Sequence, residues 1–426
     1  MKVLVLGSGG REHALCEKIS RSPQLETLFC APGSDAISLI AHCVDLNILN
    51  PDELARFSKK NKISLVVVGP EAPLASGVAD ELKRRKIACF SPTQRAARLE
   101  SSKAFAKAFM VKYKIPTADF KVFESFDKVA RYLAQTPERP VVVKASGLAG
   151  GKGVFVCENK KTALLSAKKL MEDKIFKEAG SCVVIEEFLK GPELSAMALV
   201  DGESFVFLPF SRDHKRLRDG DLGPNTGGMG AFAPVSVSVK IKREVNAIFK
   251  EVLRGIRQEK MDYRGILYCG LILTENGPKV LEFNCRLGDP ETQAVLPLIQ
   301  SDILSFFMAT TRKRLKGMRL KVRKNFSVCV NLVSQGYPEK IKIGRPIRGL
   351  EQNYREAQIF HSGTAFQNGK WRTSGGRVLS LVGMAPKLSD ARRKAYRTAS
   401  QIFFPGMGLR RDIASTNTKG DSHGSL

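Results

Sequence analysis

VVVKASGLAGGKGVFVC, residues 141–157, decides how the middle of the chain is read. VVVKAS and GVFVCEN are short apolar runs of strand length, and SGLAGGKG (146–153) is a glycine-rich turn between them. The turn superficially matches a phosphate-binding P-loop, but the Walker spacing fails. Ser146 stands where the first glycine is required, and Gly153 follows Lys152 where Ser or Thr is required. The turn also joins strand to strand instead of strand to helix. A flexible glycine hairpin folding over polyphosphate fits better, with Gly150, Gly151, Lys152 and Gly153 at its tip. Lys144, on the preceding strand, then reaches the phosphates as a point charge. The bland alternative is a generic glycine turn.

Upstream, apolar strands alternate with helical segments: KVLVLG, REHALCEKISRS, ETLFCAPG, DELARFSKK, ISLVVVGP, VADELKRRK and IACFSP. This alternation predicts a doubly wound parallel sheet over residues 1–100, with glycine and proline turns after the strands, where such folds bind ligands. Downstream of the hairpin come a helix (KTALLSAKKLMED), a strand ending in carboxylates (VVIEEFLKGPELS) and a hairpin from LSAMALVDG to ESFVFLPF. A loop without structure of its own follows at 213–234, then a helix near 245–258. GILYCGLIL and PKVLEFN are strands about an Asn-Gly turn, and a helical segment covers 291–308. After 324 the pattern changes to FSVCVNLVS, IRGLEQ, EAQIFHSGTAF and GRVLSLVGMA as strands, with a helix in LSDARRKAYRTASQIFF. The expectation is an α/β multidomain protein: 1–100, 101–324 with a lid at about 118–190, a small α+β domain at 325–412, and a disordered tail at 413–426.

At 426 residues, with 43% hydrophobic and 26% charged residues, the chain has the balance of a soluble globular protein. No stretch reaches the length of a membrane helix, and Gly7 interrupts the first apolar run too soon for a signal peptide. The nine scattered cysteines, without a C-x-x-C pair, read as reduced core thiols. A cytoplasmic location is expected. The net charge of +27 invites a nucleic-acid reading, and residues 312–324 (RKRLKGMRLKVRK) hold eight basic residues. That run has no aromatic residue for base stacking, so only non-specific electrostatic binding is expected of it.

GSGGRE follows a strand and opens a helix, but Glu12 occupies the third glycine position of a dinucleotide fingerprint. A helix start after a glycine turn, at Gly9 and Gly10, still suits phosphate or carboxylate. In VLEFNCRLGDPE, strand alternation puts Glu282, Asn284 and Arg286 on one face, with Leu281, Phe283 and Cys285 toward the core. Two hard oxygen ligands and a guanidinium suit a magnesium ion on phosphates beside an anionic substrate. The GDPE turn adds two carboxylates. Asn225-Thr226-Gly227-Gly228 offers backbone N–H groups to an anion, and His214 reads as a hydrogen-bonding loop residue.

Together GSGGREHA, GPEAPLASG, SSKAFAKAFM, VVKASGLAGGKGV, VIEEFLKGPELS, DHKRLRDGDLGPNTGGMGAFAP, GILYCGL, EFNCRLGDPETQ and SGGRVL resemble the ATP-grasp enzymes, and within them the phosphoribosylamine–glycine ligase family. The resemblance runs in the family's order over residues 1 to about 412. It implies a pre-ATP-grasp nucleotide-type domain, ATP-grasp α+β central domains and a small closing domain. It also implies ligation of glycine to 5-phosphoribosylamine through glycyl phosphate, with ATP as co-substrate and Mg2+ or Mn2+ as metal. Residue by residue, Lys103 and Lys144 would contact ATP phosphates under the loop, Glu186 and Phe188 would line the adenine, and Glu193 would hold the ribose. Glu282 and Asn284 would bind metal, and Asp213 and Arg286 the glycine amine and carboxylate. Gly9, Gly10, Glu71, Pro73, Asn225, Thr226, Gly227, Gly375, Gly376 and Arg377 would enclose the acceptor substrate. The implied partners are these small molecules, with no membrane, and a monomer is expected.

Departures from the family pattern are Leu287, Ser91, Ser101 and Asp35-Ala36; serine for glycine matters only where the backbone needs positive φ. Two alternatives stay open: another ATP-grasp carboxylate–amine ligase or carboxylase, and a basic nucleic-acid-binding protein.

Overall fold

The computed structural model describes residues 1–415. The first sheet contains β1 (Lys2–Gly7), β2 (Thr27–Pro32), β3 (His42–Cys43), β4 (Leu65–Val68) and β5 (Cys89–Phe90). All its pairings are parallel, in the order β3-β2-β1-β4-β5. Leu4, Leu6, Val66 and Val68 enter one core, and Val3, Val5, Leu65 and Val67 enter another. Burial on both faces is why these strands read as continuous apolar runs. Helices α1 (Gly10–Ser20), α2 (Pro51–Lys60), α3 (Glu71–Ala75), α4 (Val78–Arg84), α5 (Gln94–Ser101) and α6 (Lys103–Lys112) complete this part. The start of α2 is fixed by Asn50, whose side chain accepts the Glu53 N–H (3.2 Å), with Pro51 in the first turn.

The lid has a sheet and a core of its own. β6 (Phe120–Phe123), α7 (Phe126–Gln135), β7 (Val141–Ala145), β8 (Val154–Cys157), α8 (Lys160–Met171) and β9 (Val183–Glu187) give the antiparallel order β6-β9-β7-β8. Its buried cluster, from Phe123 to Ile185, is separate from the other cores. Next come β10 (Glu193–Val200), β11 (Phe205–Phe207), β12 (Arg212–Asp213), β13 (Arg216–Arg218), β14 (Leu222–Asn225), β15 (Gly230–Ala233) and α9 (Val239–Gln258). β16 (Gly265–Thr274) and β17 (Gly277–Asn284) then complete the sheet β11-β10-β16-β17.

The segment 213–234, expected to lack structure of its own, carries short strands. β13 and β14 form a hairpin, while β12 and β15 pair with each other and join the C-terminal sheet. The remaining elements are α10 (Glu291–Val295), α11 (Ile303–Thr311), β18 (Phe326–Val333), β19 (Ala357–His361), β20 (Thr364–Gln367), β21 (Lys370–Thr373), β22 (Arg377–Ala385) and α12 (Leu388–Ala399). The helix expected over 291–308 is therefore broken. Pro297 lies in a 3-10 turn, Ile299 is extended, and Asp302 restarts the helix by accepting the Leu304 N–H (3.2 Å). IRGLEQ is not a strand, since Gly349 (φ +94) turns the chain and its N–H goes to the Glu351 carboxylate. Ile413 and Ala414 are buried in the C-terminal core, so the tail does not begin at 413. The expectation of disorder at 416–426 lies outside the described residues.

Candidate active site

The cleft between the lid and the β10–β17 sheet gathers lysines around carboxylates. Lys144 on β7 and Glu186 on β9 are diagonal neighbours, because Lys144 faces Val184 and Val142 faces Glu186. Lys144 Nζ donates to Glu186 Oε2 (2.9 Å), and Lys107 from α6 reaches the same oxygen (3.0 Å). Lys107 also donates to Thr117 Oγ1 (2.7 Å). Burial pushes Lys107 down to about 8, against the pull of Glu186. Glu186, only 2% exposed, keeps Oε1 buried without a hydrogen-bond partner. Its carboxylate thus anchors two lysines, a role the sequence did not suggest, and leaves one acceptor over. Lys103, at the start of α6, is held below its usual pKa by burial, with Glu282 opposing.

β17 departs from simple alternation. Gly270 pairs with Glu282 but Leu271 pairs with Val280, so Leu281 is the extra residue of a bulge. Val280 and Phe283 enter the core, and Leu281 does not take the core position expected of it. Its carbonyl instead accepts from Lys144 Nζ (3.2 Å). The bulge leaves Glu282 opposite Gly270, where a Cβ would lie 3.5 Å from Glu282 Cγ. No described residue forms a hydrogen bond or ion pair with the Glu282 side chain. Burial opposes its ionisation, yet Lys215, Lys103 and Lys144 keep its pKa below the usual range. Asn284 Oδ1 accepts from Arg286 Nη2 (3.2 Å) and retains a second lone pair. Among the described residues no three His, Cys, Asp or Glu side chains form a metal cage. An ionised, unpartnered Glu282 beside Asn284 fits a hard cation that takes its remaining ligands from phosphate and water.

Asp213 and Lys215 close this side. Lys215 Nζ binds Glu193 Oε2 (2.7 Å) and is kept charged, despite burial, by Asp213 and Glu193. Burial pushes Asp213 up, and the charge of Lys215 pulls it back down. Phe188 is 39% exposed just beyond β9. Gly150 (φ +56) and Gly151 (φ +76) are left-handed with nothing within 4 Å of an added Cβ, while Lys152 Nζ donates to Pro338 O (3.2 Å). Lys152 therefore points to the C-terminal domain and not into the lysine cluster.

Arg286 sits between the N-terminal domain and β17. It pairs with Glu100 (3.0 Å), lies 3.6 Å from Glu71, and keeps Nε buried without a hydrogen bond. Glu100 also accepts the Cys285 N–H (2.7 Å), which fixes the turn after β17. Glu71 opens α3, and Pro73 is buried within it. Glu12 explains why the first glycine turn is no dinucleotide site. Its carboxylate accepts from Gly9 N (2.8 Å) and Arg11 Nε (2.6 Å), and it fills the space beside Gly7 and Gly69. Gly10 faces Ser362 and Gln293, so α1 begins against the C-terminal domain.

Several expectations change here. The N–H groups of 226–228 do not face an anion: Thr226 N donates to Lys215 O, Gly227 N to the Tyr337 hydroxyl (3.0 Å), and Gly228 N to Thr226 Oγ1 (3.0 Å). Asn225 Nδ2 reaches Val154 O in the lid (3.4 Å). Arg377 is engaged within the protein by Asp289 Oδ2 (2.6 Å), Asp289 O (2.7 Å) and Gly227 O (2.5 Å). Asp289 is thus committed to Arg377, and Glu291 accepts from the Tyr268 hydroxyl (2.6 Å), so neither GDPE carboxylate joins Glu282. Gly375 and Gly376 give their carbonyls to Ser334. His214 is hydrogen-bonded through its backbone, to Gly230 O (2.9 Å) and from Met229 N (2.8 Å), but its ring has a buried Nδ1 without a partner and is lowered to about 4 by burial and Arg410, so the bonding expected of its side chain is not there.

Sequence reading missed Lys107, Lys215, Glu100, Arg11 and Gln293. Lys107 carried a signal, lying one helical turn after Lys103 on the same face. Gln293, whose Nε2 holds Asp289 Oδ1 (2.7 Å) while Oε1 lacks a partner, carried none. Of the departures, Ser91 and Ser101 avoid left-handed backbone, Leu287 packs in the core, and Asp35 Oδ2 accepts the Phe366 N–H (2.6 Å).

Residues 1–100 match the phosphoribosylglycinamide synthetase N domain, 101–292 its ATP-grasp (A) domain, and 327–416 its C domain. A phosphoribosylamine–glycine ligase of Caldanaerobacter subterraneus is 44% identical over 417 residues, covering 97% of this chain and all of that one. The trifunctional purine biosynthetic protein adenosine-3 of Gallus gallus is 43% identical over 97% of this chain, which spans 42% of its length. The crystal structure of a phosphoribosylamine–glycine ligase from Thermotoga maritima superposes with a TM-score of 0.86 at 37% identity, covering 97% of this chain and all of that one. With three consecutive domain matches and near-complete relatives, the chain belongs to the phosphoribosylglycinamide synthetase family.

Proposed function

We propose that the chain ligates glycine to 5-phospho-D-ribosylamine at the expense of ATP, as a step of purine biosynthesis. The γ-phosphoryl group passes to a glycine carboxylate oxygen, giving glycyl phosphate and ADP. The amine nitrogen then attacks the acyl carbon, the C–O bond to phosphate breaks, and N1-(5-phospho-D-ribosyl)glycinamide and phosphate leave. The observation that carries this reading is Glu282, half-buried, held ionised by Lys215, Lys103 and Lys144, and without a hydrogen-bond or ion-pair partner among the described residues. Such an arrangement suits phosphoryl transfer, which needs positioning and charge neutralisation and no covalent nucleophile.

Lys103 and Lys144 would bind ATP phosphates, and Glu193 the ribose. Glu186 Oε1, the acceptor left over, would take the adenine amino group beside Phe188. A divalent ion, Mg2+ or Mn2+, held by Glu282 and Asn284, would neutralise phosphate charge. The buried Arg286 Nε is a donor for the glycine carboxylate, and Asp213 would face the glycine ammonium. Gly9, Gly10, Glu71, Pro73 and the 225–227 and 375–377 turns would enclose phosphoribosylamine. Arg377 would act there chiefly through the carbonyls and carboxylate it already holds. No helix among the described residues is long and apolar enough to cross a membrane. The working form proposed is a cytoplasmic monomer without a specific nucleic-acid partner.

ADP release, measured with ATP, glycine and phosphoribosylamine and with each omitted in turn, tests the reading. Full turnover is expected only with all three. Equal turnover with other carboxylates in place of glycine would favour a different ATP-grasp ligase.

A further inference from the structure

The turn Tyr337-Pro338, between β18 and β19, contacts the glycine-rich loop, the 225–228 loop and the 375–377 turn, yet none of the roles above uses it. On its lid side, Pro338 O accepts from Lys152 Nζ of the glycine-rich loop (3.2 Å). On its central side, the Tyr337 hydroxyl accepts the Gly227 N–H (3.0 Å). The Tyr337 ring covers Gly376, where an added Cβ would fall 2.5 Å from the ring. Gly227 is in turn held through its carbonyl by Arg377 (2.5 Å), which is paired with Asp289. A second strap, Asn225 Nδ2 to Val154 O (3.4 Å), ties the same loop to lid strand β8. Ser146, at the base of the glycine loop, is fixed to α6 by accepting from Lys103 N (2.8 Å) and Ala104 N (3.1 Å). The lid's core is separate from the others, so beyond that base these polar contacts, not shared packing, tie the tip of the loop to the central and C-terminal parts.

We propose that Tyr337 is a positioning residue, the latch through which loop 225–228 and the 375–377 turn hold the glycine-rich lid shut, and that it sets the yield of product per ATP. The inference rests on the ligase reading given above. An acyl phosphate formed under an open lid meets water. Water attacks the acyl carbon, the C–O bond to phosphate breaks, and glycine, phosphate and a proton leave, so ATP is spent without product. A latch that contacts the acceptor side and the lid together keeps water out during the interval between phosphoryl transfer and attack by the amine. The Tyr337 hydroxyl makes no hydrogen bond to Lys103, Lys144, Glu282 or Asn284, the residues proposed for phosphates and metal, so loosening it affects coupling more than ATP affinity.

The test is Tyr337→Phe, which keeps the ring over Gly376 and removes only the hydroxyl. ADP and glycinamide product are quantified in the same reaction with both co-substrates saturating. The unaltered chain should give a ratio near one. Tyr337→Phe should raise it severalfold, in line with the loss of one hydrogen bond from the closed state, about fivefold in the closing equilibrium. Its KM for ATP should stay within about twofold of the parent, since the Tyr337 hydroxyl is engaged by Gly227 and by none of the residues proposed for ATP. Asn225→Ala cuts the second strap and should raise the ratio in the same sense. A Tyr337→Phe enzyme that ligates at a ratio of one, whatever its kcat, overturns the latch while leaving the ligase reading standing. An unaltered chain that consumes ATP with glycine and forms no glycinamide product overturns both.

Discussion

On the side of the cleft built by α6, β7, β9 and β17, charges are left incomplete among the described residues: the half-buried Glu282 has no hydrogen-bond or ion-pair partner, while the buried Glu186 Oε1 accepts nothing and the buried Arg286 Nε makes no hydrogen bond. On the facing side, Arg377, Asp289, Asn331 and Ser380 are satisfied inside the protein, with Asn331 Nδ2 on Gly228 O (2.8 Å) and Ser380 Oγ on Asn331 Oδ1 (2.6 Å). Both sides carry charged and polar side chains. Charges without partners are costly unless a ligand completes them, whereas a closed network holds shape. The first side is therefore read as the ligand site and the second as the frame that presents it, with Gln293 Oε1 an open acceptor in the frame.

The largest effect should come from Glu282. Glu282→Ala should lower kcat by about 10³-fold or more, because charge compensation at the transferred phosphoryl group is lost. A circular-dichroism spectrum and melting curve close to the parent's would place that loss in the site and not the fold. Arg377→Met should behave in the opposite way. Removing one partner of a mostly buried pair strands Asp289, so unfolding by denaturant should become easier by about 3 kcal/mol. An Arg377→Met protein with unchanged stability would break the distinction between frame and site.

Lys107 sharpens the comparison through pH. Its folded pKa, about 8, lies below the ordinary lysine value of 10.5. Between these values the unfolded chain binds the proton and the folded one does not, so this group's contribution to stability rises as pH rises from about 8 to 10. The limiting slope is about 1.4 kcal/mol per pH unit. Melting curves across that range should show a steeper rise for the parent than for Lys107→Met. The smallest effect is expected at Ser101, the last residue of α5, where the backbone is not left-handed. Restoring glycine there should destabilise by about 0.5 kcal/mol, not rescue anything, as read from a urea titration.

The doubly wound sheet was legible because strands buried on both faces are bound to be apolar throughout, as in LVVV at 65–68. The hairpin at 146–153 and Glu282 with Asn284 were legible because their chemistry is local in sequence. What could not be read was non-local. The bulge at Leu281 depends on register against β16, and it moves Val280 into the core position given to Leu281. The strands at 212–213 and 230–233 form because β18, about a hundred residues later, offers them an edge. Thr226 and Gly227 read as anion donors from their local sequence, and Arg377 as a substrate contact from the family resemblance, since nothing in their neighbourhood announces Tyr337 or Asp289 as partners. The net charge of +27 is only partly used by the cleft, whose lysine cluster is small and partly offset by Glu186, Glu193 and Glu282.

The central claim is that incomplete buried charge around Glu282 drives ATP-dependent ligation of glycine to phosphoribosylamine. It is tested most directly by quantifying glycinamide ribonucleotide formed by the parent and by Glu282→Ala, with ATP, a divalent metal and both co-substrates present. Product is expected from the parent, none when glycine or phosphoribosylamine is omitted, and a loss of about 10³-fold in the variant. Parental rates of product formation by a folded Glu282→Ala protein would contradict it.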